Sequence, residues 1–375
     1  MFGKRITLFK LLGFEVRIDL SWLVLGFLIT WSLAKGIFPY HYKDLAEATY
    51  WWMGIAGAIG LFGSIVFHEL SHSLVARRFG LPMKGITLFI FGGVAEMDDE
   101  PPSAKAEFFM AIAGPLSSIL LGLILYAVFT RGMIEVPVPV YGVVEYLAVI
   151  NLVLAAFNLL PAYPLDGGRV LRSILWRWKK DLRWATRIAS QVGSAFGIAL
   201  IFFGAVNVLI GNIIGGIWQV MIGMFLRGAA QSSYQQVTMR KALEGEKVER
   251  FMKKDPVAAS PSLSLKDLVE DYIYTYHYKM YPVVENGKLL GCITTRQVKE
   301  IPREQWQHRT VGESLAGCSP ENTVAPGADA MHALSIMNRT GNSRLMVVDA
   351  ERLVGIITLK DIMAFLSVKF DLGEG

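Results

Sequence analysis

The chain has 375 residues, of which 53% are hydrophobic and 18% charged, and its mean hydropathy is +0.40. That composition excludes an ordinary soluble globular protein. A net charge of +5 and a pI near 9.0 could suggest a nucleic-acid binder, but the basic residues flank apolar runs. This is the pattern of membrane orientation, so no nucleic-acid partner is expected. The apolar runs fill residues 1–228, whereas residues 235–375 have the balance of a soluble domain. Cys292 and Cys318 both fall in the soluble half without metal-ligand spacing, and they read as reduced, structural cysteines in a cytosolic domain. Residues 1–17 are basic but show no small-residue cleavage site after an apolar core, so no cleavable signal peptide is expected.

In chain order, residues 6–18 are rich in β-branched and aromatic side chains and read as a strand or hairpin. A first apolar span is expected near 18–39 and a second near 53–77. The second contains Phe67-His68-Glu69-Leu70-Ser71-His72-Ser73, an H-E-x-x-H motif inside an apolar helix. Polar groups of this kind are costly in hydrocarbon, which marks them as a functional site. At i, i+4 spacing His68 and His72 share one helix face and can hold one metal ion. Glu69 then reads as the base that deprotonates water. The bland alternative is a pair of satisfied core histidines, and a third ligand is needed to decide. Ala56, Gly60 and Ser64 continue the histidine row and read as a close-packing surface.

Residues 85–97, punctuated by Gly92-Gly93, read as further strands, and Asp98-Asp99-Glu100 before Pro101-Pro102 as a solvated turn and not a second metal site. The third span is expected near 105–130, where Gly114-Pro115 and Ser117-Ser118 are packing features, and the fourth near 142–162. The fifth and sixth, near 185–209 and 211–227, form a tight hairpin about Gly211-Asn212. Lys and Arg gather at Lys4, Arg5 and Lys10, at Arg77, Arg78 and Lys84, between Arg169 and Arg187, and at Arg227, Arg240 and Lys241. Only Lys43 and Arg131 fall in the opposite loops, so both termini are expected in the cytoplasm of a multi-pass protein.

The third ligand is offered by Asn158-Leu-Leu-Pro-Ala-Tyr-Pro-Leu-Asp166-Gly-Gly-Arg169 at the end of the fourth span. Pro161, Pro164 and Gly167-Gly168 are expected to break the helix and leave Asp166 on irregular backbone around a cavity. His68 lies nine residues before Arg77, roughly 13 Å of helix, and Asp166 three before Arg169, so the two halves sit at compatible depths. His68, His72 and Asp166 would leave one tetrahedral position for water, the pattern of a catalytic zinc site with one Zn2+ per chain. The competing role for Asp166 is a helix-terminal cap. Asn158 could donate to a substrate backbone or oxyanion, or equally make an interhelical hydrogen bond.

The His68–His72 motif, Ala113-Gly114-Pro115, and Asn158…Pro161…Pro164-Leu165-Asp166-Gly167 together resemble the site-2 protease family of intramembrane zinc metalloproteases. The closer likeness is to its six-span branch with a C-terminal CBS pair, which includes sporulation-factor-processing enzymes. The likeness covers residues 1–228 and implies cleavage of a single-spanning substrate in or beside its membrane segment. No inserted PDZ-like domain is visible. In the soluble half, residues 281–298 repeat at 345–362, with Gly291 matching Gly355 and Thr294 matching Thr358 at one gapless offset. Each unit reads strand, turn, strand, helix, and the pair resembles tandem CBS domains. The resemblance implies ATP or AMP as a regulatory ligand, with the hydroxyl of Thr358 and the acid of Asp361 contacting phosphate and ribose; Gln297 stands where the first copy would need an acid. It also implies a homodimer through the CBS pair. A pair serving only as an assembly surface is the alternative.

The fold class expected is therefore a polytopic α-helical membrane domain with six spans and small cytoplasmic-side β elements, residues 1–228. A linker, 229–247, joins it to a soluble α/β tandem CBS region, 248–305 and 306–370. A CBS-gated transporter or channel is the competing function, but it leaves the H-E-x-x-H motif and the distal Asp166 without a reason. An inactive scaffold is disfavoured because every expected catalytic residue is present.

Overall fold

A computed structural model describes residues 5–81, 83–89, 92–97, 100–130 and 136–372. Lys4, Asp98, Asp99 and Arg131 lie outside the described residues. The chain divides into two compact units, Met1–Gln235 and Gln236–Gly375.

The first unit opens with β1 (Arg5–Leu11) and β2 (Phe14–Asp19), antiparallel strands joined by Leu12 and Gly13, both at positive φ. Two consecutive left-handed residues give a hairpin turn whose twist suits its strands. The second expected β segment is also a hairpin, β3 (Met83–Phe89) and β4 (Gly92–Met97), and β3 runs parallel to β2, so the four strands form one sheet in the order β1-β2-β3-β4. Alternate side chains of β2 (Phe14, Val16 and Ile18) join Ile86 and Leu88 in a buried cluster with Val66 and Leu70. The sheet thereby covers one flank of the histidine-bearing helix.

Among the described residues, six helices are long and apolar enough to cross a membrane. The first, α1 (Leu20–His41), is capped by Asp19, whose Oδ1 accepts from Ser21 N at 2.9 Å, and includes a π-helical stretch over Leu33–Ile37. The others are α2 (Glu47–Arg78), α3 (Ala104–Thr130), α4 (Val138–Asn158), α6 (Leu182–Leu209) and α7 (Ile213–Leu243). Between α4 and α6 lies a shorter helix, α5 (Asp166–Lys179). Helix α3 is the hub, packed against α2, α4 and α5.

Three expectations change. Helix α4 stops at Asn158, four residues short of the expected end, because Pro161 and Pro164 lie ahead of it. Helix α7 continues to Leu243, so most of the expected linker is helical; polar residues end a span, but nothing ends the helix until Gly245 takes a positive φ. Of the expected packing row, Gly60 and Ser64 do meet α4: a Cβ on Gly60 would lie 2.6 Å from Leu147 Cδ1, and Asn151 Nδ2 donates to Ser64 Oγ at 2.9 Å. Ala56, in contrast, is exposed.

The second unit holds a sheet in the order β5-β6-β10-β9-β8, with β7 paired to β6. Its core is two antiparallel hairpins, β5 (Met280–Glu285) with β6 (Lys288–Thr294), and β9 (Arg344–Asp349) with β10 (Arg352–Thr358). Strands β7 (Ala316–Gly317) and β8 (Thr323–Val324) are short. Each hairpin runs into a helix, α8 (Thr295–Lys299) or α10 (Leu359–Asp371), with α9 (Ala330–Thr340) between the repeats. Each copy has its own core, around Tyr281, Val283 and Ile293 or around Leu345, Val347 and Ile357, and Met280, Leu289, Cys292 and Met346 form a third cluster shared by both.

Helices α6 and α7 touch backbone to backbone. A Cβ on Gly204 would lie 2.7 Å from Gly216 O, and one on Gly216 would lie 2.5 Å from Gly204 O. Overpacking of such a contact costs about 1–3 kcal/mol. Gly204→Leu is therefore expected to lower the Tm of the purified protein in detergent, and an unchanged thermal transition would contradict the contact.

Candidate active site

Helix α2 presents two stripes. Phe62, Val66 and Leu70 face the sheet, while Gly60, Ser64, His68 and His72 turn toward α3 and α4. His68 and His72 are 3% and 6% exposed. Each ring uses Nδ1 to bond outward: His72 Nδ1 lies 2.6 Å from Met110 O and His68 Nδ1 2.9 Å from Ser118 Oγ. A carbonyl only accepts, so His72 donates from Nδ1, and in its neutral form it presents Nε2 as an acceptor. A donor Nδ1 on His68, received by Ser118, gives the same result there.

Asp166 is the first residue of α5, and here the structure corrects the expectation that Gly167-Gly168 ends helical structure. The two glycines lie inside the first turn of α5. Irregular backbone is confined to residues 159–165, which fold back over that turn. A Cβ on Gly167 would stand 2.2 Å from Leu159 O, and one on Gly168 would stand 2.2 Å from Tyr163 N. The glycines are required by backbone-to-backbone contact, at a helix-propensity cost of about 1 kcal/mol each. An acidic residue in a first turn is also favoured by the helix dipole.

These elements bring together three of the expected residues. His68 Nε2, His72 Nε2 and Asp166 Oδ2 stand at the corners of a triangle whose three sides each measure 3.1 Å. Asp166 is 9% exposed, so all three groups are shielded. With both rings neutral and protonated on Nδ1, the corners are three acceptors, an arrangement that a bound cation makes favourable. Two ligand atoms at zinc distances and a tetrahedral angle stand about 3.3 Å apart, so the cluster fits one such ion.

One face of α3 supplies what surrounds the triangle, at helical spacing. Met110 and Ser118 orient the rings. Gly114, between them, leaves the space: a Cβ there would lie 2.2 Å from His72 Nε2 and 2.6 Å from His68 Nε2. Glu107, fully buried, accepts from Arg172 Nε at 2.6 Å, and Arg172 is 2% exposed. Burial works against the Arg172 cation, but Tyr163, Glu107 and Glu100 together hold its pKa above the ordinary value. Met110, Glu107 and Arg172 were not singled out as site residues from the sequence, and Gly114 and Ser118 read there as packing alone. The only signal available was the 107-110-114-118 spacing, which has meaning once α2 is known to lie alongside.

The remaining expected residues are placed as follows. Glu69 is partly buried, next to His68 on α2. Asn158 closes α4, and its Nδ2 donates to Leu154 O at 3.0 Å within the same helix. Thr358 and Asp361 form a reciprocal cap on α10, with Thr358 Oγ1 donating to Asp361 Oδ2 at 2.6 Å, and Lys253 Nζ lies 3.5 Å from Asp361 Oδ1. Thr294 and Gln297 cap α8 in the same way, so the neutral residue in the first copy preserves the helix start.

The profile of Peptidase family M50 matches residues 56–134 and 136–202, and that of the CBS domain matches residues 248–304 and 318–368. The chain is similar to Rip3 of Mycobacterium tuberculosis, at 32% identity over 366 residues, covering 97% of this chain and 93% of that one. It is also similar to the zinc metalloprotease MJ0392 of Methanocaldococcus jannaschii, at 30% identity over 363 residues, covering 97% of this chain and 96% of that one. The solved structure of a site-2 protease from Methanocaldococcus jannaschii aligns with a TM-score of 0.44 at 30% identity, over 61% of this chain and 94% of that one. Because the likeness to both relatives runs nearly end to end, the chain belongs to Peptidase family M50, the site-2 proteases, as a multi-pass zinc metalloendopeptidase carrying a tandem CBS pair.

Proposed function

We propose that the protein hydrolyses a peptide bond in or next to the membrane segment of a single-spanning protein, with zinc held by His68, His72 and Asp166 and with Glu69 as the base. The triangle of buried acceptor atoms, 3.1 Å on each side, carries this reading. Two nitrogens and one oxygen leave a fourth position open, as in catalytic and not structural zinc sites. Zinc bound there supplies Lewis acidity, polarising the scissile carbonyl and lowering the pKa of water. Glu69 accepts a proton from the attacking water and returns it to the leaving amine. Asn158, once its amide leaves Leu154 O, donates to the developing oxyanion. The substrate must unwind near the cut, since a helix hides its amides in internal bonds.

The distribution of Lys and Arg supports both termini in the cytoplasm of a prokaryotic cell. The CBS pair binds ATP or AMP near Thr358 and Asp361 and sets the activity of the membrane domain, which requires different nucleotide affinity in the active and inactive states. Met363, Val368, Phe370 and Leu372 at the end of the chain are exposed, and a second copy covering them would form a homodimer. Family membership removes the ground for a transporter or channel.

Glu69→Gln is expected to abolish hydrolysis of a membrane-segment substrate while one zinc per chain remains, read by metal analysis of the purified protein. Wild-type turnover in that variant would refute the assignment of the base. Gly114→Ala, whose methyl group intrudes between the two Nε2 atoms, is expected to weaken zinc at least about tenfold; equal retention under chelator competition would contradict the triangle as the zinc site. For the soluble half, calorimetric titration of ATP and AMP into the purified protein is expected to give a saturable signal that Asp361→Ala weakens. Binding that is absent at millimolar nucleotide, or indifferent to the substitution, would leave the CBS pair an assembly surface.

A further inference from the structure

Arg172 is buried in a membrane protease yet touches no part of the triangle. Arg169 stands midway between it and Asp166 on α5, three residues from each. Arg172 Nε donates to Glu107 Oε1 at 2.6 Å, its Nη2 reaches both Glu107 and Glu100, the latter at 3.2 Å, and its guanidinium sits 5.2 Å from the centre of the Tyr163 ring. One cation therefore grips α3, the segment leading into α3, and the loop that folds over Gly167 and Gly168. Arg169 Nε adds a longer contact to Glu107 Oε1 at 3.9 Å. Glu107 stands one turn before Met110 on α3, and Asp166 stands less than two turns before Arg172 on α5.

We propose that the Glu107–Arg172 ion pair is a positioning device for the metal site, locking the helix that carries Asp166 to the helix that orients His68 and His72. Asp166 begins α5 immediately after seven residues of irregular chain, whose backbone contacts at Gly167 and Gly168 tie the first turn of α5 to that loop, whereas the ion pair ties α5 to α3. Metal ligation tolerates errors of roughly 0.2 Å, and a slide of α5 along α3 by one ångström opens two of the three sides of the triangle. Packing of apolar side chains alone allows such slides; a forked guanidinium on a fixed carboxylate does not. Oε2 of Glu107 and Nη1 of Arg172 have no hydrogen-bond partner among the described protein atoms. A pair retained for stability alone would be expected to have its remaining valences satisfied, since an apolar pair of the same volume is often as stable.

The proposal rests on the reading of His68, His72 and Asp166 as the zinc ligands, and one set of measurements separates the two. Full-length wild type, His68→Ala, Arg172→Lys, Glu107→Gln and Asn207→Ala are purified in detergent, and the folded fraction is compared by zinc competition with a chromophoric chelator and by the absorption bands of the cobalt-substituted protein. Arg172→Lys keeps the charge and loses the fork, so it guards against a Glu107→Gln protein that does not fold. Asn207→Ala, which removes a 2.6 Å bond to Gln219 between α6 and α7, controls for general loss of stability. Zinc affinity lowered about 10- to 100-fold in the pair variants, with shifted cobalt bands and with Asn207→Ala unchanged at an equal fall in Tm, is the expected result. Wild-type affinity and cobalt bands in Arg172→Lys would overturn the positioning role. Undiminished zinc in His68→Ala would overturn the ligand reading, and the positioning role with it.

Discussion

With the two rings neutral, three proton acceptors held 3.1 Å apart in a shielded pocket repel one another, and the interior around them is too apolar to screen that repulsion as water would. The membrane half is organised to resist it. Every polar atom of the two rings that does not face the centre is tied to α3, through Met110 O and Ser118 Oγ. The remaining corner is tied down from the other side, by a loop pressed against the first turn of α5. What would be a destabilised cluster in a looser fold is here held in a geometry that could accept a cation.

Small residues make that tightness possible. In lipid there is no hydrophobic drive between helices, so close approach must come from complementary surfaces with little side chain between them. Gly60 and Ser64 bring α4 against α2, and Gly114 brings α3 against the histidines. The opposite flank of α2 takes Val66 and Leu70 into the sheet, which gives a helix carrying polar residues an apolar anchorage outside the bundle.

Much of this was legible in the chain. The spacing of His68 and His72 needs only a helix to place both rings on one face, and the fixed offset between the repeats makes the two hairpins and capped helices of the second unit readable. Asp166 was found by combining a helix break with the count of residues to the next arginine. The residues that escaped were those whose meaning is a contact between distant backbones. Gly167 and Gly168 look like a helix break because local propensity is all a window of sequence can report, whereas the reason for them is the carbonyl of Leu159. Ser117 and Ser118 are indistinguishable on paper, and only the path of α2 selects Ser118. The parallel pairing of β2 with β3 joins strands separated by two helices, beyond what periodicity can see. Likewise Glu107 and Arg172 read as ordinary flanking charges until their helices are laid side by side.

The glycine contacts between α6 and α7 have a mechanical consequence. At Gly197–Gly223 and at Gly204–Gly216 no layer of side chains separates the two backbones, so there is nothing between them to shear and the hairpin behaves as one stiff plank. Its outer surface, with Phe202, Phe203, Leu209, Ile213 and Ile214 exposed, is already suited to lipid, and acyl chains wet such a surface as well as leucine does. Bending the plank is opposed along its length. On this flank the bundle carries a plank that is rigid in itself and pinned near Gly193, where a Cβ would stand 2.0 Å from Tyr163 O.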